Sequence, residues 1–547
     1  MAGALDGVRV IDFGQYIAGP LTAMLLADQG ADVIRVDPPG GPRWQTPANA
    51  VWNRGKRSIV LDLKQEADRE TARRLIASAD VVVENFRPGV MERLGLGAAA
   101  MTAANPRLLY LSLPGFAHDD PRAGLAAWEG VVGAASALYT RPGDAVFTAI
   151  PISSSYAAFQ GAVSVIMALI ARERDGLGQR IEVPLYDATF TAIGYRAQRI
   201  HNQPDAPQPG ITGARAAWFG EHRTKDERWA YFHMGNKNAL DLIKAAGALE
   251  WWQEEDAREQ VEALFKSHTA QEWEDLGETV GTELAVCRTS AEWLQHPHAR
   301  GSKMIVEVQD RQYGRMLQPG VQARLSETPG SVRGPAPALD ADRAAILAEL
   351  QTQRGPSAPA TSNGVPENAL RAALDGVKVL DLCIVLAGPT CGRTLAEFGA
   401  NVIKIDGPAR PSVLAQGRQN AAGPNSFNLE VNRGKRSIVL DLKTPEGQEL
   451  FWKLAEDADV IVENYRKGVI DRLGVGYEQV RERRPDIVYA SLNAYGYEGP
   501  WAGWPGHEQM AQTVSGMSVR FGGEGRPVLQ PVAVNDFGTG LLGAYAV

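Results

Sequence analysis

Gly178-Gln179-Arg180-Ile181-Glu182-Val183-Pro184-Leu185-Tyr186-Asp187-Ala188-Thr189-Phe190 changes its periodicity midway. Ile181, Val183 and Leu185 alternate with Arg180 and Glu182, the period-two pattern of a strand with one buried face. From 188 to 199 the pattern becomes that of an apolar helix. Asp187 falls where strand hands over to helix. A carboxylate there meets unpaired backbone N–H groups and the positive end of a helix dipole. Two roles compete for it: a helix N-cap, for which Asp is a preferred residue, and a carboxylate held ready for chemistry.

Upstream, the same strand-to-helix unit recurs. Residues 8–13, 31–36, 58–63, 80–84 and 108–113 read as short apolar strands, and 19–29 and 67–79 as helices. Alternation of this kind predicts an α/β fold with a parallel sheet covered by helices. From about 214 the texture changes to Trp- and Glu-rich short helical patterns, a small α+β domain. The expected division is a large domain over 1–213, the small domain over 214–310 and a Pro-rich return segment over 311–353. A Pro/Ser/Ala/Gly linker at 354–373 then leads to a partial second large domain over 374–547.

The second large domain follows from a long repeat. Leu5-Asp6-Gly7-Val8-Arg9-Val10-Ile11-Asp12 returns as Leu374-Asp375-Gly376-Val377-Lys378-Val379-Leu380-Asp381, and Ala18-Gly19-Pro20 as Ala387-Gly388-Pro389. Residues 53–64 recur letter for letter at 432–443, and Val83-Glu84-Asn85-Phe86-Arg87 as Val462-Glu463-Asn464-Tyr465-Arg466. A period of about 370–380 residues is far beyond solenoid repeats, so this is a duplicated domain. Copy 2 stops before any counterpart of Asp187. The expectation is a fragment, because the last apolar helix otherwise lacks a sheet partner.

The 547 residues are 44% apolar and 22% charged, with a net charge of −8 and a pI near 5.7. The acidic balance argues against nucleic acid as a partner. Three cysteines with no CxxC pair exclude a disulfide scaffold, and a cytoplasmic location is expected. The N-terminus lacks a secretory signal, and no apolar run of about 18 residues stands out, so no membrane span is expected. Histidine and cysteine show no metal-ligand spacing. The first βα turn, Asp12 to Pro20, is not GxGxxG, yet its small residues permit a ligand to approach the backbone. Arg43, Lys56, Arg57, Lys64, Arg87 and Arg93 sit at strand ends and loops, where clustered cations favour anions.

In combination, the AGP turn, NRGKRSIVLDLK, ADVVVENFRPGVMERLG and GQRIEVPLYDA resemble the class III (CaiB/BaiF type) CoA-transferases. HPHAR at 296–300 and QPG at 318–320 resemble that family's C-terminal segments. The resemblance implies an open Rossmann-like large domain plus a small domain, assembled as an interlinked homodimer or, here, an internal pseudo-dimer. It implies an acyl-CoA and a small carboxylic acid as substrates, with CoA handled as substrate and no permanently bound cofactor. It places the nucleophile at Asp187 and the CoA contacts at Ala18, Leu61, Lys64, Asn85, Phe86 and Arg93. Lys64 and Arg93 would pair with phosphates, and Leu61 and Phe86 would flank the adenine or pantetheine. Departures occur at Ile17, where several transferases carry Gln, and at Trp128-Glu129, where Tyr-Glu is common; these bear on the acceptor acid. The sister activity, α-methylacyl-CoA racemase, uses a paired His and Asp. Copy 1 has Trp128 and Ser154 at those positions, and copy 2 has His507 and Asp536. A CoA-transferase, an isomerase acting through His507 and Asp536, and a copy 2 that serves only as a structural partner therefore stand as alternatives.

Overall fold

A computed structural model describes residues 3–139, 147, 150–198, 201, 214–254, 257–352, 371–408 and 426–547; of the linker expected at 354–373, residues 354–370 lie outside them. Copy 1 forms one sheet from β1 (Arg9–Asp12), β2 (Asp32–Asp37), β3 (Arg57–Val60), β4 (Val81–Glu84), β5 (Leu109–Ser112) and β6 (Arg180–Glu182). Every pair is parallel, in the order β3-β2-β1-β4-β5-β6. Strand order reverses between β1 and β4, and in such sheets ligands bind outside the carboxyl ends of the strands at that switch point.

Helices α1 (Ala18–Asp28), α2 (Glu129–Ala135), α3 (Ile152–Asp175) and α4 (Leu185–Ile193) flank the sheet. By length and composition alone α3 could cross a membrane, which the sequence reading did not single out, but 61% of its most apolar stretch is buried. Packing against α1 and α4 accounts for its apolarity.

The small domain is an antiparallel sheet of β7 (Gly220–Arg223), β8 (Trp229–His233) and β9 (Glu283–Val286), followed by the hairpin β10 (Ile305–Asp310) and β11 (Gly314–Pro319). The hairpin spans the boundary expected at 310. The return segment then rejoins the large domain. Asp342 accepts from the Ser58 N–H at 2.8 Å, and Ile346 and Leu350 of α5 (Arg343–Thr352) enter the core beneath β3.

Copy 2 repeats the order of the first five strands with β12 (Lys378–Asp381), β13 (Asn401–Asp406), β14 (Arg436–Val439), β15 (Val460–Glu463) and β16 (Val488–Ser491), as β14-β13-β12-β15-β16. Its helices include α6 (Ala387–Glu397), α7 (Glu508–Val514) and α8 (Val534–Ala546). α8 lies against α6 of its own copy and against α3 and α4 of copy 1. The Tyr156 phenol donates to the Val534 carbonyl at 2.6 Å, and that of Tyr545 to the Leu25 carbonyl at 2.9 Å. On the other side, the small domain of copy 1 shares a core with copy 2: Tyr231, Cys287 and Trp293 pack with Tyr495, Trp501 and Met510.

Candidate active site

The first βα turn is folded onto β4 by one side chain. Asn85 accepts from the Gln15 N–H at 2.7 Å and donates to the Gln15 carbonyl at 2.7 Å. Asn464 makes the same pair of bonds to Ile384 in copy 2. Gly19 is required because the turn closes on itself: a Cβ there would lie 2.7 Å from the Gly14 Cα. The residue at the turn's apex is left-handed in both copies, Tyr16 with φ 62° and Val385 with φ 67°. A β-branched residue in that region is strained, and such strain concentrates at binding sites. Sequence reading missed this feature, because neither residue type signals a positive φ.

The expected CoA contacts separate into two sets. Lys64, Phe86 and Arg93 follow β3 and β4 at the carboxyl ends of the strands; Lys64 and Arg93 are exposed and Phe86 is partly buried. Leu61 is only 1% exposed and belongs to the core with Ile59 and Leu75, so its side chain cannot flank a ligand. Ala18, the first residue of α1, is likewise buried. Asn85 spends its carbonyl oxygen and one N–H on the turn. Of the wider basic set, Lys56 is buried and bonded to Asp12 at 2.8 Å, and burial lowers its pKa to about 8. Arg57 pairs with Asp32 and Glu349. Both hold structure together instead of facing a ligand.

Asp187 lies on the same edge of the sheet, after β6. It is not the N-cap. Pro184 occupies that position, so Asp187 is the third residue of α4, with no side-chain cap hydrogen bond at this terminus. Proline cannot donate to a sheet ladder and its ring fixes φ, so the strand stops and the helix starts earlier than the apolar alternation suggests. Asp187 is exposed and faces a charged loop. Partial desolvation, then the carboxylates of Asp120, Glu182 and Asp119, raise its pKa, while Arg122 opposes them. The Arg122 guanidinium lies 4.3 Å from the ring centres of both Phe116 and Tyr186 and pairs with Asp120 at 2.7 Å. Behind the site, buried Glu129 accepts from the Ser153 and Ser154 N–H groups at 2.9 and 2.7 Å, and Thr189 of α4 donates to the Ser153 hydroxyl at 2.8 Å. α2, α3 and α4 are thereby tied together around the carboxylate.

The spacing that takes Asn53 to Asn432 also takes Pro121 to Pro500, Gly124 to Gly503 and Glu129 to Glu508. On that correspondence, Leu125, Trp128 and Val131 match Trp504, His507 and Met510. In copy 2 the small domain covers this face, and Trp504 and Met510 are 8% and 0% exposed. In copy 1 the face is open, and Leu125, Trp128 and Val131 are 52%, 60% and 37% exposed.

The copy 2 counterpart has different chemistry. His507 Nδ1 lies 2.7 Å from Glu283 of β9, a residue of copy 1's small domain. His233 of β8 reaches the other oxygen of Glu283 at 2.5 Å, without forming a well-aligned hydrogen bond. Burial raises the pKa values of both Asp536 and Glu508, and the Asp536 carboxylate adds to the rise at Glu508. His507 acts in the opposite sense on Asp536. Among the described residues, His233, Glu283 and His507 form the one cluster with the composition of a metal site, their ligand atoms within 4.8 Å of one another. Sequence spacing could not reveal this cluster, because the three residues come from two copies.

A sequence model of CoA-transferase family III matches residues 5–343 and again 374–547, and the chain belongs to that family. It is 31% identical to the CoA-transferase/lyase DddD of Marinomonas sp. (strain MWYL1) over 95% of this chain and 69% of that protein. It is 28% identical to the probable CoA-transferase Rv1866 of Mycobacterium tuberculosis over 91% of this chain and 65% of that protein. The chain thus spans about two thirds of the length of these two relatives. Among solved structures, a CaiB/BaiF family protein from Brucella suis aligns over 64% of this chain and all of its own, with a TM-score of 0.57 and 26% identity.

Proposed function

We propose that the chain transfers CoA from an acyl-CoA donor to a carboxylic acid acceptor through a covalent intermediate on Asp187. The observation that carries this reading is the position of Asp187: an exposed carboxylate, uncommitted to a helix cap, on the sheet edge that also bears Lys64, Phe86 and Arg93. A carboxylate oxygen attacks the thioester carbonyl and the C–S bond breaks. This gives an acyl–aspartyl anhydride and CoA thiolate. The thiolate then attacks the aspartyl carbonyl, releasing the donor acid and leaving an aspartyl–CoA thioester. The acceptor carboxylate attacks that thioester, and the thiolate returns to the acceptor acyl group, regenerating Asp187. Lys64 and Arg93 act on the CoA phosphates. Mass spectrometry of mixtures containing a panel of acyl-CoAs and carboxylic acids tests the reading: new acyl-CoA species appear with the wild type and not with Asp187→Asn.

A second reading attaches to copy 2. His507, anchored by Glu283, and buried Asp536 form an acid–base pair of the kind that exchange of a proton α to a thioester needs. Copy 1 lacks both groups. Such a pair suits isomerisation, or the elimination suggested by the word lyase in the name of the Marinomonas relative. Deuterium uptake at the α-carbon of an acyl-CoA in heavy water, lost in His507→Asn and retained in Asp187→Asn, distinguishes it from transfer.

A further inference from the structure

His233 and Glu283 stand directly opposite each other across the antiparallel pair of β8 and β9. Glu283 is fully buried, and each of its oxygens has an imidazole beside it: His507 Nδ1 lies 2.7 Å from one, and His233 Nδ1 lies 2.5 Å from the other. His507 arrives from copy 2, as the residue that opens α7, and its contact is a hydrogen bond. The His233 contact is not. His233 Nδ1 and Glu283 Oε2 are both buried, and among the described residues neither atom has a hydrogen-bond partner. Buried polar atoms are nearly always satisfied, so an orphaned pair at contact distance calls for a group that both can bind. The His233 ring is also held in place. A Cβ at residue 235 would collide with its Cε1, so Gly235 is what lets it lie there, and the Phe219 ring packs on it at 5.1 Å. The ligand-type atoms of all three residues lie within 4.8 Å of one another.

We propose that His233, Glu283 and His507 bind a divalent transition-metal ion, Zn²⁺ foremost, across the interface between the two copies. The donor set decides the class of ion. Two imidazoles and a carboxylate suit Zn²⁺ and its first-row neighbours, whereas Mg²⁺ and Ca²⁺ take oxygen ligands. The scale fits as well. Four-coordinate Zn²⁺ holds its ligands at about 2.0–2.2 Å, which sets neighbouring ligand atoms about 3.3 Å apart. The imidazoles here are drawn closer than that onto the carboxylate, and the ion enters by spreading the contacts of 2.5 and 2.7 Å by roughly 0.6–0.8 Å. The way in is from the His507 side: its side chain is 37% exposed, against 14% for His233 and 0% for Glu283. Three protein ligands leave a fourth position for water. With two ligands from the small domain of copy 1 and one from copy 2, the ion pins the two together. The site uses neither Asp187 nor Asp536, so it stands apart from both readings of the reaction. It bears on one of them: a ring ligated through Nδ1 keeps its proton on Nε2 and offers no base, so an occupied site silences α-proton exchange at copy 2.

The test uses the intact chain, stripped with EDTA, dialysed and titrated with Zn²⁺ alone. Calorimetry and elemental analysis should find one Zn²⁺ per chain, and the unfolding midpoint should rise with Zn²⁺ concentration, because the ion binds the assembled interface and not the unfolded chain. His233→Ala and His507→Ala should each weaken binding at least roughly a hundredfold, since losing a ligand costs no less than losing its hydrogen-bonded support, and should abolish the rise in midpoint. Glu283→Gln, which keeps the shape of the buried side chain, should do the same and serves if a histidine variant does not fold. Asp187→Asn should bind Zn²⁺ as the wild type does, so failure of the transfer reading leaves the site standing. A folded wild type that binds no stoichiometric Zn²⁺, or one equivalent held as tightly by either histidine variant, overturns the proposal.

Discussion

The Tyr156 phenol donates to the Val534 carbonyl at 2.6 Å, joining the long core helix of copy 1 to the last helix of copy 2 inside a shared apolar core. Tyr156 is fully buried, and burial pushes its phenol well above the ordinary pKa, so it remains a donor at any physiological pH. Tyr156→Phe keeps the ring and strands the carbonyl. We expect a loss of about 0.5–2 kcal/mol, read as a lower denaturation midpoint. Tyr545→Phe, on the same helix, should cost a similar amount.

The two matched faces predict a contrast in stability. Met510→Ala removes a fully buried side chain from the core that copy 2 shares with the small domain, and should cost about 2–5 kcal/mol. Val131→Ala, the same position on the open face of copy 1, should stay within about 0.5 kcal/mol. Thermal unfolding of the two variants beside the wild type measures both.

Much of this architecture is legible in the sequence. The short apolar segments at 8–13, 31–36, 80–84 and 108–113 are the central strands within a residue or two, and the repeat of residues 53–64 announced the second sheet. The start of α4 was misread because apolar alternation ran on to Leu185, whereas Pro184 had already ended the strand. Leu61 was offered as a ligand contact because motif position says nothing about which face of a chain end turns inward. His233, Glu283 and His507 were beyond reach: Glu283 and His507 are 224 residues apart, and only the docking of one copy on the other brings them together.

Among the described residues neither Lys64 nor Arg93 makes an ion pair, and both are exposed. Lys64→Ala and Arg93→Ala should each weaken CoA binding by about 1–3 kcal/mol while leaving the unfolding midpoint unchanged. Asn85→Ala should differ by lowering both, because it releases the turn at Gln15 as well. Calorimetry with CoA and a denaturation curve on each variant separate the two behaviours.

The pH dependence of transfer follows from Asp187. Desolvation and the neighbouring carboxylates raise its pKa, so the protonated, non-nucleophilic form persists to a higher pH than for an ordinary aspartate. The rate should therefore fall, as pH decreases, through a midpoint above the usual value near 3.9. Asp119→Asn removes one of the repelling charges and should shift that acid limb downward. A kcat/KM profile against pH for the two proteins reads the shift.

The central claim is the covalent role of Asp187, and the most direct measurement is peptide mass spectrometry after incubating the chain with an acyl-CoA and quenching with hydroxylamine. The account predicts a hydroxamate on the aspartate of the peptide carrying Asp187, dependent on acyl-CoA and absent from Asp187→Asn. A hydroxamate on a different carboxylate, or an Asp187→Asn protein that transfers CoA at the wild-type rate, contradicts it.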